Sequence, residues 1–452
     1  MKRLSKGGLL EWDIRVNADL GTISADRRKD VQVCGMEGVR MSKNQWLIIV
    51  IFMFIAIVFR FQAAWRHDGL LEKDSLVYDQ CALSVLKGEG IRSQWGELSA
   101  YRPPLYIYFL AVHYKIFGHH LMPVRIVQAL LSTLTVATMG CMSYRIFGAR
   151  SCLFTVIISS IYPPFYNFWF SCAFIGTETL YAFLLIISVY TLVLCFMRKS
   201  SFLALLAGVF WGLAILCRPE PLLLIPFLPF AMILIGFQLR AVLKFYSLLI
   251  VMVALVIMPW TVRNYLLFQS LIPVVSSGGM ALYASNHPGS DGFGTEFFSR
   301  VIVPEDFRLQ IMGKNERERS FIFMRKAVNY MREYPAAFGL LFLKKCFFYL
   351  DYNHTHYFKN NVKKRVINWG YVFVSFGAFF GLLAGCKDAG SKRWIILIMF
   401  IFVFFLISHA FVLSSYRYRL PTESLLIILS AYGWNKCFSG GIFRGSKKNR
   451  LG

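Results

Sequence analysis

Trp46-Leu47-Ile48-Ile49-Val50-Ile51-Phe52-Met53-Phe54-Ile55-Ala56-Ile57-Val58-Phe59-Arg60-Phe61 is apolar throughout except for Arg60. A helix needs ~20 predominantly apolar residues to cross hydrocarbon, and runs near that length recur down the chain. They lie at Met122–Tyr144, Cys152–Phe170, Thr177–Phe196, Phe202–Cys217, Leu222–Ile235, Val242–Pro259, Trp369–Leu383, Trp394–Val412 and Ser424–Trp434. A membrane β-barrel would show ~10-residue segments of alternating polarity, and none is present. The pattern predicts an all-α polytopic membrane protein.

Composition agrees. Of 452 residues, 57% are hydrophobic and 16% charged, against about 25% charged in soluble domains. Lys and Arg total 49 against 24 Asp and Glu, a net charge of +25. In a membrane chain that excess anchors helix ends and meets anionic lipid. No aromatic-and-basic signature of nucleic-acid binding accompanies it. The ten cysteines show no CxxC and no paired His/Cys spacing, so they read as small core hydrophobes.

Short basic loops orient the chain. Arg145/Arg150, Arg198/Lys199, Arg240/Lys244, Lys387/Lys392/Arg393 and the Lys436–Arg450 stretch all face the cytoplasm if both termini are inside and about ten helices cross. Pro103–Phe117 and Pro335–Leu350 are then interfacial or re-entrant helices on the outer side. Residues 1–43 form a basic cytoplasmic tail with no signal-peptide core, Met41 being an alternative start, and 437–452 form a second basic tail. Between them, 44–436 make one transmembrane domain with outer loops at 64–101 and about 262–366.

That topology leaves Arg102, Arg218, Arg417 and Arg419 on the outer face, against the charge rule. Each either snorkels to the interface or joins the others around an anionic ligand. The first outer loop, Lys73 to Leu86, has Leu76, Ala82, Leu83 and Leu86 at a rough helical period, which predicts an amphipathic helix on the bilayer. Asp74 begins it, as a cap or as a reactive carboxylate, and Tyr78 follows one turn later. Glu178 opens a membrane helix, where a carboxylate is costly unless hydrated, paired or functional. Two acids and several guanidiniums in one plane suit group transfer: a carboxylate takes a hydroxyl proton while arginines hold a phosphate leaving group.

The order Asp74-x-x-x-Tyr78, Tyr101-Arg102-Pro103-Pro104-Leu105-Tyr106, Phe117-Gly118-His119-His120, Val124-Arg125, Thr177-Glu178-Thr179-Leu180-Tyr181, Arg218-Pro219, Pro259-Trp260-Thr261-Val262-Arg263-Asn264-Tyr265 and Tyr416-Arg417-Tyr418-Arg419-Leu420-Pro421 resembles the GT-C glycosyltransferases. The likeness is to bacterial protein-mannosyltransferases and lipid A aminoarabinose transferases, over residues 46 to 436. It implies a GT-C-like bundle of about ten or more transmembrane helices with outer-face interfacial helices. It also implies a sugar donor on polyprenyl phosphate of the undecaprenyl type. Asp74 is then the catalytic acid of the first loop, Glu178 a second acidic residue, and Arg102 and Arg263 phosphate contacts, with Arg218, Arg417, Arg419 and Tyr78 beside them. The first loop has no Asp-x-Asp, so a required divalent metal is not implied and no cofactor is expected.

The sequence therefore supports a glycosyltransferase of the bacterial inner membrane acting at its outer face on a hydroxyl of a protein, lipid or glycan. The alternative is a transporter or lipid flippase, which would put ionisable residues along a path at mid-membrane depth.

Overall fold

Helix α1 (Lys43–Arg66) exposes Leu47, Val50, Phe54 and Val58 at helical spacing, a lipid-facing stripe in a membrane protein. A computed structural model describes residues 41–66, 71, 74–92, 96–165, 172–292, 310–357 and 363–440. The expected basic tails lie outside these residues, apart from 41–43 and 437–440. The described helices continue as α2 (Asp74–Leu86), α3 (Pro104–Phe117), α4 (Leu121–Phe147), α5 (Ala149–Ile161), α6 (Thr177–Arg198), α7 (Ser201–Cys217), α8 (Glu220–Leu224) and α9 (Leu228–Leu234). Then come α10 (Leu239–Phe268), α11 (Gly278–Ala284), α12 (Glu316–Glu333), α13 (Pro335–Leu350), α14 (Trp369–Gly385), α15 (Ala389–Phe411) and α16 (Tyr416–Phe438). One antiparallel hairpin, β1 (Asn353–Tyr357) with β2 (Lys363–Ile367), pairs Asn353 with Ile367 between α13 and α14.

Helices α1, α4, α6, α10 and α15 are long and apolar enough to span a membrane, and α5, α7, α14 and the stretch from α8 to α9 are shorter apolar helices. Helix α16 is the axis of the bundle. Every residue from Arg419 to Gly433 is buried, with α14, α5, α6 and α15 packed around it. Lipid gives packed helices no hydrophobic drive beyond its own tails, so close approach through small residues matters. A Cβ on Gly433 would sit 2.0 Å from the Gly377 carbonyl oxygen and 2.4 Å from the Gly381 nitrogen of α14.

Arg60 shows how a charge survives inside such a bundle. Its guanidinium donates to Ser132 Oγ at 2.8 Å, to the Ser159 and Ser160 carbonyls at 3.0 and 3.3 Å, and to the Ala56 carbonyl at 3.1 Å. Ser159 and Ser160 close α5, where the last carbonyls have no partner within the helix and carry the negative end of its dipole.

Several boundaries differ from the sequence expectation: the helix of the span expected at Cys152–Phe170 ends at Ile161, and the span expected from Ser424 already starts at Tyr416. The span expected to end at Pro259 runs on to Phe268, because a proline removes one backbone donor without ending a helix held on both sides. The span expected at Leu222–Ile235 breaks into α8, a 3-10 turn over Ile225–Phe227 and α9, where Pro221, Pro226 and Pro229 interrupt the ladder. The expected outer loop at 262–366 begins inside α10 and then folds as α11, α12, α13 and the hairpin.

Candidate active site

Helix α2 starts at Asp74, but its buried face is Ser75, Tyr78, Asp79, Cys81 and Ala82, while Leu76 and Leu86 are exposed. The polar side turns into the protein because α3 offers it partners. Buried Asp79 accepts from Tyr114 Oη at 2.6 Å and pairs with His119 Nε2 at 2.8 Å. That anchorage, absent from the sequence reading, fixes α2 and hence Asp74.

Pro103 is extended, at φ −61 and ψ 141, and ends the approach to α3, so Arg102 is presented just before the helix. Its Nη2 donates to Asp74 Oδ1 at 2.6 Å. From the first turn of α16, Arg417 donates through Nη1 to Asp74 Oδ2 at 2.6 Å and through Nε to Glu178 Oε1. Glu178, in the first turn of α6, also accepts from Arg218 Nη2 at 2.7 Å, and Arg218 Nε donates to Thr177 Oγ1 at 2.8 Å. Asp74, Arg102, Arg417, Glu178 and Arg218 thus form one continuous charged chain.

Aromatic rings wall it. The Arg102 guanidinium lies 5.4 Å from the Tyr78 and Tyr101 centroids, and Arg218 lies 5.5 Å from Tyr181 and 5.4 Å from Tyr418. Guanidinium faces are drawn to such rings. Exposure is graded: side chains of Asp74 and Arg102 are 29% and 27% exposed, Arg417 15% and Glu178 4%. The mouth is therefore at Asp74 and Arg102, and the floor at Glu178 and Arg218. Glu220, just after Pro219, adds a carboxylate on the Arg218 side, leaving two arginines sharing Asp74 at the mouth.

Burial alone would raise the Asp74 carboxyl, but the charges and hydrogen bonds of Arg102 and Arg417 outweigh it and hold the group well below the usual carboxylate range. Burial pushes the Tyr78 phenol up to about 12, so it stays neutral. Arg102 Nε is buried and has no hydrogen-bond partner among the described residues.

Two of the expected residues stand apart from this chain. Arg263, on α10, donates from Nη1 to the Ser99 carbonyl at 2.9 Å and lies 4.4 Å from the Trp260 ring. Arg419 is wholly buried: it bonds Glu423 at 2.5 Å and the Tyr349 and Asp351 carbonyls at 2.6 and 2.8 Å, pinning α16 to the end of α13. Glu316, unremarked in the sequence, accepts from Ser99 Oγ at 2.6 Å and from the Ala100 N–H and Ser276 Oγ at 2.9 Å. With Arg263 it clamps the segment that delivers Arg102. Its only sequence signal is its place inside the Asn315–Glu318 capping box that starts α12. Among the described residues, no three His, Cys, Asp or Glu side chains converge as a metal-ligand group.

Residues 101–262 match the family model for dolichyl-phosphate-mannose-protein mannosyltransferase, a stretch holding Arg102, Glu178 and Arg218 and ending beside Arg263. No curated protein matches the chain. The archaeal oligosaccharyltransferase AglB from Archaeoglobus fulgidus, in complex with an inhibitory peptide and a dolichol-phosphate, superposes with a TM-score of 0.55 at 12% identity, over 91% of this chain and 53% of that one. The oligosaccharyltransferase of the same organism tethered to an acceptor peptide gives 0.54 at 15% identity, over 90% and 52%. ArnT from Cupriavidus metallidurans bound to undecaprenyl phosphate gives 0.46 at 14% identity, over 88% and 79%. The chain spans about half the length of the two oligosaccharyltransferase chains.

Proposed function

For a chain that carries the fold of the GT-C membrane glycosyltransferases, we propose transfer of a sugar from a polyprenyl phosphate of the undecaprenyl type to a hydroxyl acceptor at the outer face of the bacterial inner membrane. The observation that supports this most is Arg102: a guanidinium at the mouth of the site, sharing Asp74 with Arg417 and keeping a buried Nε–H unpaired among the described residues. Such a fork matches a phosphate in geometry and charge.

The acceptor hydroxyl oxygen attacks the anomeric carbon, and its proton passes to Asp74. The bond from that carbon to the phosphate oxygen breaks, and its electron pair leaves on polyprenyl phosphate. A single displacement of this kind inverts the anomeric centre. A carboxylate held by two guanidiniums is a poor base. The donor phosphate, however, competes for those same guanidiniums, and each bond it takes from Asp74 restores basicity to that carboxylate. Donor binding thereby readies the base. Glu178 acts through Arg417, holding it where it reaches Asp74. Positioning and stabilisation of the leaving phosphate supply the rest of the acceleration.

The test is to give purified protein a sugar-loaded polyprenyl phosphate and measure release of the free lipid phosphate. Release that depends on Asp74 supports transfer. Lipid moved across a vesicle membrane chemically unchanged would instead show a transporter.

A further inference from the structure

Helix α12 is too polar to enter hydrocarbon, with Arg317, Arg319, Arg325, Lys326 and Arg332 interleaved with Glu316, Glu318 and Glu333. Beside it lies a cavity of about 580 Å³ whose lining includes Tyr283, Arg325, Asn329, Tyr330, Glu333 and Tyr334. That volume falls within the ~300–1,000 Å³ of small-ligand sites. No step proposed above uses these residues.

The lining has a pattern. Arg325, Asn329 and Glu333 recur every fourth residue and share one stripe of the helix, while Tyr330 and Tyr334 occupy the adjoining stripe. The two tyrosine rings stand 5.6 Å apart. Tyr283 enters from α11, braced by the buried Phe323 at 5.5 Å. Flat aromatic faces thus adjoin a guanidinium that donates, a carboxylate that accepts and an amide that does both. A sugar ring is the ligand with both counterparts. Its C–H face suits the electron-rich face of an aromatic ring, and its hydroxyls pair with amide, carboxylate and guanidinium edges. The lining is mostly helical and offers no strand edge for a peptide to extend. Phe321, Ile322 and Pro288 also line it, but a lipid chain there would lie against Arg325, Lys326 and Glu333 and leave their charges unmatched.

The cavity is mechanically joined to the charged site. Tyr101, next to Arg102, donates to Met280 Sδ at 3.2 Å, and Tyr283 lies one turn further along α11. Gly279 N–H donates to Ser320 Oγ at 3.1 Å, and Glu316 at the head of α12 holds the segment leading to Arg102. At 1.5 Å per residue, Arg325 to Glu333 lie about 14–26 Å along the helix from that clamp. A ligand reaching both places is extended.

We infer that this cavity is the acceptor subsite and that it takes a saccharide chain of two or more sugar units, a reading that rests on the proposed sugar transfer. It narrows the acceptor from any hydroxyl compound to a glycan.

The detergent-solubilised full chain is overlaid on a glycan array spanning neutral, acidic and amino sugars, and on a Ser/Thr-rich peptide array. Undecaprenyl phosphate binding is measured on the same preparation. The expected result is a defined set of bound glycans, with apparent affinity reduced roughly tenfold or more in Asn329→Ala and Tyr330→Ala. Arg332→Ala, exposed on the same helix and off the cavity, retains it. Matching gel-filtration profiles and melting temperatures show that the variants fold. A blank glycan array, or glycan binding that both cavity variants keep, overturns the inference. Peptide binding lost in those variants overturns it in favour of a peptide acceptor. A blank glycan array with intact lipid-phosphate binding removes only the saccharide subsite. Glycan binding lost in the two cavity variants without any lipid-phosphate binding overturns the acceptor assignment together with the donor reading, leaving a saccharide site of another role.

Discussion

Arg417 donates to Asp74 Oδ2 at 2.6 Å across 343 positions of sequence, and its Nε reaches Glu178 from the other edge of the same guanidinium. One planar group therefore joins the carboxylate at the mouth to the carboxylate on the floor. A lysine carries its three donors on one compact nitrogen and lacks the planar fork whose separate edges reach these two carboxylates.

Arg417→Lys is accordingly expected to fail almost as completely as Arg417→Ala. Charge-assisted bonds are worth about 1.5–3 kcal/mol each, so losing two slows transfer on the order of a hundredfold or more. Initial rates of donor cleavage check this. A Lys variant within a few-fold of wild type would show that the bridge is dispensable.

The depressed Asp74 carboxyl sets a pH expectation. A group whose folded value lies below its unfolded value of ~3.9 contributes stability that is fully present above that value. The contribution is lost as pH falls through the lower folded value. Even when phosphate frees it, Asp74 returns only towards ~4. Transfer should thus show no acid limb from Asp74 between about pH 5.5 and 7.5, and Asp74→Asn should abolish transfer across that window while donor binding persists. A pH–rate profile of the wild type with an acid limb near 6 that vanished in a still-active Asn variant would give Asp74 a different role.

The membrane helices were legible because apolar runs of spanning length survive any tertiary context. Which arginines meet was less so. Arg417 and Arg419 are two residues apart, about 200° around one helix. The structure turns the first to the charged chain and the second to Glu423 and the end of α13. Nothing in the local pattern separates them, because the choice is made by what packs on each side. The same holds for α2, whose apolar residues suggested a face turned to the bilayer. Its polar residues go inward because Tyr114, His119 and Arg102 await them. Glu316 was illegible for the reverse reason: its partners Ser99, Ala100 and Ser276 lie far off in sequence.

Close packing of α14 against α16 gives a stability expectation. Gly433→Ala places a methyl 2.0 Å from the Gly377 carbonyl, which forces backbone apart in the middle of the bundle. Overpacking of this kind costs about 1–3 kcal/mol or more. Thermal unfolding in detergent should show a clearly lowered midpoint, and an unchanged midpoint would contradict the contact.

Topology can be read by labelling. With both termini cytoplasmic, a membrane-impermeant thiol reagent added outside should reach a cysteine engineered near Ser290 and miss one near Ser446. Labelling at both sites, or at the second alone, would break this topology and with it the outer-face placement of the charged site.

Transfer as proposed turns on Arg102 gripping the donor phosphate. Donor concentration dependence is measured for wild type, Arg102→Ala and Arg102→Lys. With Arg102 on the phosphate, the Ala variant needs far more donor for half-maximal rate, as loss of a charge-assisted bond of about 1.5–3 kcal/mol requires. The Lys variant falls between the two. A snorkelling arginine leaves donor dependence unmoved in both variants and shows only a small loss of stability. That result would remove Arg102 from the site.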